Sequence, residues 1–157
     1  MIDAYVLLKL VHVLSAAVLF GTGAGIAFFM VRARRTRDPS IAAAVGRMVV
    51  LADFLFTATA VVVQPVSGLA LIRLQGYALD ETWLLASYAL FLLVGVCWLP
   101  VVWIQQRLVR LAAEAAAADQ PLPEAYHRLY RIWFALGWPA LAGVIGIYVL
   151  MISRPSP

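Results

Sequence analysis

Apolar residues fill four long stretches of this chain, and polar residues gather between them. Leu10–Val31 carries no charge, and Tyr5–Leu8 extends it past Lys9. Phe54–Ile72 is also uncharged, with Asp53 just before it; Thr82–Gln106 and Ile132–Ser153 complete the set. About 20 apolar residues cross a bilayer as a helix. The pattern therefore predicts spans at about 4–31, 48–72, 82–106 and 132–153. The connection Arg73–Glu81 has only nine residues, and short connections make neighbouring helices antiparallel. The expected fold is all-α: one transmembrane domain over 1–157, a four-helix bundle running up-down-up-down.

Local signals refine the ends. Asp38-Pro39-Ser40 reads as a helix start, with Asp38 as N-cap and Pro39 in the first helical position. The second helix should begin there, before the membrane. Leu108–Ala118 is alanine-rich with spaced charges, so the third helix should project beyond the bilayer and stop near Gln120-Pro121-Leu122-Pro123. Glu124–Arg131 is a short amphipathic lead-in to span four. Pro65 should kink span two and free a carbonyl near Val61.

Composition agrees: 64% of the 157 residues are hydrophobic and 13% charged, where a soluble domain has roughly a quarter charged. The net charge of +4 does not point to nucleic acid, because of where it lies. Arg32, Arg34, Arg35, Arg37 and Arg47 fall between spans one and two, and Arg107, Arg110, Arg128 and Arg131 between spans three and four. Arg73 is set against Asp80 and Glu81, and Arg154 follows span four. Basic residues near span ends mark the cytoplasmic side, so both termini should lie outside a bacterial inner membrane. The basic loops should also sit against anionic lipid headgroups. Without a basic n-region, the first apolar run reads as a retained helix rather than a cleaved signal. Tyr5, Tyr77, Trp83 and Tyr148 should form an outer aromatic belt, and Trp103, Tyr126, Tyr130 and Trp133 an inner one. Cys97, the sole cysteine, reads as a packing residue.

Chemistry in such a chain falls to the few polar groups at membrane depth, which are costly to place there. Lys9 and His12 lie one turn apart in span one. Antiparallel geometry puts Gln64 and Ser67 of span two at a similar depth, with Arg73 capping that helix and Tyr88 entering from span three. Lys9, His12, Gln64, Ser67, Arg73 and Tyr88 therefore form the candidate cofactor site, with His12 as its metal ligand. A neutral imidazole commonly ligates a metal or haem iron, and cations above it suit haem propionates. The other reading has Lys9 snorkelling to the surface and His12 bonded to a neighbouring helix in a non-catalytic scaffold or partner-binding subunit. His127 lies a bilayer away from His12, so one chain cannot ligate one iron through both. It reads as a solvated residue beside Arg128. Haem would need single ligation, a weak second ligand, or His12 from two copies. Asp53 suits a proton path or, more simply, an ion pair with Arg107, Arg128 or Arg131. Gly21 and Gly25 make a small-residue face for close helix approach, either to another span or to a second copy in a homodimer. No Ser-His-Asp set, His-x-x-x-His pair or nucleotide loop occurs, so the residues leave open whether this is an enzyme.

Several runs resemble a bacterial family of predicted integral membrane proteins known only as a domain of unknown function. They are Leu7–Ser15, Leu51–Thr57, Gln64–Gly68, Cys97–Trp103 and Trp133–Pro139, which together sample all four spans. More distantly, Lys9 and His12 opening a four-helix bundle is similar to HemJ-type protoporphyrinogen oxidases and copper-resistance D-type membrane proteins. The HemJ-type resemblance implies haem b in an inner membrane protein, with His12 as an axial ligand.

Overall fold

The structure, a computed structural model, describes residues 3–153. It contains α1 (Ala4–Thr36), α2 (Pro39–Ala52), a π-helical turn (Asp53–Thr57), α3 (Ala58–Gln75), α4 (Thr82–Ala117) and α5 (Glu124–Ser153). The π turn joins α2 and α3 into one continuous helix of 37 residues, so four helices are long and apolar enough to cross a membrane. No strand occurs among the described residues. Arg154, which follows the fourth span, lies outside them.

The helix ends follow their local chemistry. Asp38 accepts hydrogen bonds from the backbone N–H of Ser40 (2.7 Å) and Ile41 (3.2 Å), so α2 starts at Pro39. α1 stops one step earlier, where Arg37 turns left-handed at φ 58°. α4 ends at Ala117, short of Pro121 and Pro123. α3 runs through Pro65. The same long helix also carries a π turn that the sequence did not announce, at Asp53–Thr57, ahead of the proline.

Packing is uneven along the bundle. α4 packs along α5 and α2, and α1 along α2 and α3. The end carrying the α1–α2 and α4–α5 connections, here the basic end, holds a continuous core that includes Met30, Ala43, Ile104, Leu108, Ala112 and Tyr126. At the opposite end the core shrinks to Ile72, Trp83 and Leu84. α3 and α4, although joined by a short connection, do not pack along each other. The rest of the apolar surface faces outward: at most 22% of any span's most apolar stretch is buried in the chain. Lipid covers such a surface, and closed backbone hydrogen bonding within each helix makes that environment tolerable.

Three expectations change in this frame. Tyr126, Tyr130 and Trp133 are core residues of the basic end rather than an interfacial belt, because the lead-in before span four is itself helix packed on α4. Trp83 is likewise buried, edge-on to Tyr77. The Gly21 and Gly25 face meets nothing within the chain: a Cβ at either position has no neighbour within 4 Å. Close approach occurs elsewhere, as at Gly143, where a Cβ would come within 2.8 Å of Val94.

Candidate functional site

α1 and α3 are bound by a polar knot at membrane depth. His12 Nδ1 lies 2.8 Å from Ser67 Oγ. The single Ser67 proton goes to the Val63 carbonyl at 2.6 Å, so the His12 Nδ1–H is the donor to Ser67. In the neutral ring this fixes the tautomer and leaves Nε2 with a bare lone pair. Gln64 Nε2 donates to both the His12 carbonyl and Ser15 Oγ, each at 2.8 Å. Ser15 closes the circuit by donating to the His12 carbonyl at 3.1 Å. Gly68 makes room for the ring, since a Cβ there would stand 3.2 Å from His12 Cε1.

The knot thus unites His12, Gln64 and Ser67 of the expected site, and adds Ser15, which was not expected. Its signal was present in the sequence: Ser15 sits one turn from His12 on the same helix. The other three residues stand apart. Lys9 is exposed, with its ammonium 5.6 Å from the Tyr5 ring centre. Arg73 is exposed at the end of α3 and forms no ion pair among the described residues. Tyr88 is 42% exposed on α4, a helix that does not pack along α3.

A second polar centre lies about 16 Å along the same helix, at 1.5 Å per residue. Asp53 is only 4% exposed. Both its carboxylate oxygens accept from Trp98 Nε1, at 3.2 and 3.3 Å. The expected ion pair with Arg107, Arg128 or Arg131 is not formed; the one ion pair among the described residues joins Arg131 to Glu124. The reason is axial as well as rotational. Trp98, which meets Asp53, lies about 13 Å before Arg107 along α4, and Asp53 is directed into the bundle while those arginines are exposed. Thr57, the last residue of the turn, buries a hydroxyl with no hydrogen-bond partner.

Between the two centres, where the helix pairs separate, lies a cavity of about 90 Å³ bordered by Ala16, Thr57, Gln64, Gly95, Trp98 and Tyr148. Its walls are otherwise aliphatic and aromatic. Sites for larger ligands enclose about 300–1,000 Å³, so this one holds a few small molecules and not a macrocycle.

At the basic end His127 is half-buried, set edge-on to Tyr126, and its buried Nδ1 has no hydrogen-bond partner. It is therefore not the solvated residue that its charged neighbours suggested. Cys97 is buried and unpaired. No group of three or more His, Cys, Asp or Glu side chains is placed to hold a metal ion among the described residues. On a regular helix with 100° per residue, Gly21 and Gly25 fall about 180° and 220° around α1 from His12. A pair of chains meeting through those glycines would turn the two His12 rings away from each other.

No curated protein and no solved structure matches the chain. A family model described as "Predicted integral membrane protein (DUF2269)" matches residues 6–155. That match takes in all four spans, the His12 knot and the Asp53 turn, and the chain belongs to this integral membrane protein family.

Proposed function

We propose that this protein is a non-catalytic membrane subunit, a four-span scaffold whose intramembrane polar groups lock its own helices while its outer faces meet a partner in the bilayer. The observation that carries this reading is the closure of the His12 knot. Gln64, Ser15, Ser67 and the His12 Nδ1–H all satisfy one another, as structural polar groups in lipid must. Asp53 is met by Trp98 in the same way. The setting is a bacterial inner membrane with both basic connections in the cytoplasm. The open Gly21 and Gly25 face is a second-copy surface, which makes a homodimer part of this reading.

The bare Nε2 of His12 favours a second reading, a haem b or related tetrapyrrole protein serving redox or electron transfer. The residues fit that group only in part. The knot offers one imidazole, Lys9 and Arg73 stand outside it, and the adjoining cavity is too small for the macrocycle. A single experiment separates the readings. The protein and its His12→Ala variant are purified in detergent, supplemented with haem, and compared by absorption spectrum and thermal melting. The scaffold reading expects no Soret band in either protein and a lower melting temperature for the variant. A stoichiometric Soret band that His12→Ala abolishes overturns it in favour of haem.

A further inference from the structure

A cavity of about 860 Å³ opens at the basic end, between the last turn of α1 and the first turns of α5. Arg34, Arg35, Arg37 and Arg131 line it together with His127, against one carboxylate, Glu124. Four guanidiniums and one carboxylate leave a net +3 with histidine neutral. Glu124 is engaged by Arg131 at 3.1 Å, and Arg34 lies over the Tyr130 ring at 4.5 Å. Arg35 and Arg37 are exposed and have no ion-pair partner among the described residues. The nearby Asp38 caps α2, does not line the cavity and forms no ion pair with them among the described residues. Helix α5 begins here, at Glu124, and α1 ends here, at Thr36, so the two helix dipoles oppose each other and the positive field is that of the arginines. Val31, Leu122 and Phe134 supply an apolar wall beside these charges.

We propose that this cavity is a binding site for a phosphate group, carried by an anionic membrane phospholipid or by a free phosphate ester from the adjacent solvent. Guanidinium forks match phosphate oxygens in geometry and charge, and basic pockets between transmembrane helices take phospholipid headgroups. Cations spread over a surface attract an anionic leaflet without a concavity. Here unpaired arginines and a half-buried histidine share one walled space, which gives a ligand a fixed place. The apolar wall suits the upper part of an acyl chain. The site lies on the far side of the bundle's core from the His12 knot and does not rest on the scaffold reading.

The test titrates the full chain, in an uncharged detergent, with phosphatidylglycerol, with inorganic phosphate and with diacylglycerol, reading the ligand concentration that gives half-maximal thermal stabilisation. Arg35→Gln with Arg37→Gln removes two lining charges; both are exposed, so folding is spared. Arg107→Gln with Arg110→Gln removes two exposed charges outside the cavity. The lining pair should raise the half-maximal concentration about thirtyfold, at roughly fivefold per cation, and the distant pair less than about threefold. Saturation by phosphatidylglycerol alone assigns the phosphate to lipid; saturation and competition by inorganic phosphate assign it to a soluble ester. Equal losses from both arginine pairs, stabilisation by diacylglycerol equal to that by phosphatidylglycerol, or no response to either phosphate ligand would overturn the proposal.

Discussion

His12 and Ser67 are joined through a hydroxyl whose own proton is already committed: Ser67 Oγ donates to Val63 at 2.6 Å and receives His12 Nδ1 at 2.8 Å. The link is therefore directional, and it couples α1 to α3 where neither helix has a large apolar core to share. Side-chain hydrogen bonds between membrane helices contribute on average about 0.6 kcal/mol and at most about 1.7 kcal/mol. Ser67→Ala should destabilise the protein by about 1 kcal/mol, and Gln64→Leu by somewhat more because it releases two acceptors. Chemical denaturation in micelles checks the values. Variants as stable as the parent would show that the knot does not hold the helices.

Asp53 and Trp98 should behave as an asymmetric pair. Removing the donor with Trp98→Phe leaves a buried carboxylate without its partner, at a cost of about 1–3 kcal/mol plus the lost packing. Replacing both partners, as Asp53→Leu with Trp98→Phe, should recover most of that loss. A double-mutant cycle reads the coupling directly, and additive effects would refute it.

Gly21→Leu with Gly25→Leu should leave the fold intact, since a Cβ at either position points into open space with nothing within 4 Å. If two copies meet through this face, the oligomeric mass falls to that of one chain. Gly143→Ala, by contrast, should cost about 1–3 kcal/mol by overpacking against Val94. A folded glycine double variant that keeps the parent's mass eliminates this interface.

Topology follows from charge. Nine of the twelve basic residues lie in the two connections at the basic end, and each would cost about 2.5–3.5 kcal/mol at mid-membrane. Reporter fusions at Gln120 and after Pro157 should report opposite sides, with Gln120 cytoplasmic. Finding both on one side would break the four-span arrangement.

The spans were legible because they depend on length and polarity alone, and Asp38-Pro39 announced a helix start through local hydrogen bonding. The union of His12 with Gln64 and Ser67 was legible through depth, since antiparallel helices equate positions counted from their ends. Depth carries no rotational information, however. Tyr88 shares the level of the knot but sits on a helix that does not pack along α3, and Arg73 shares the helix but not the face. The Asp53 partner was hidden for a further reason: charge complementarity points to the arginines of the basic end, while the partner is the single indole N–H of Trp98, about 13 Å before Arg107 along α4. The cavity at the basic end was hidden because α5 begins earlier than span four, which carries Tyr126, Tyr130 and Trp133 into the core and folds the arginines around a space.

The π turn has a consequence for how this fold tolerates length changes. A five-residue π turn holds one residue more than an α turn, yet it winds about as far as four α-helical residues, because its turns are wider. Deleting one residue from Phe54–Phe56 would therefore leave a regular helix with Gln64 and Ser67 close to their present angle to His12. The irregular turn takes up one residue of length without rotating one half of the long helix against the other, much as an expansion joint takes up slack in a rail. Outside it there is no such allowance: a residue removed from the α-helical stretch between Ala58 and Val63 would turn Gln64 and Ser67 by about 100° away from His12.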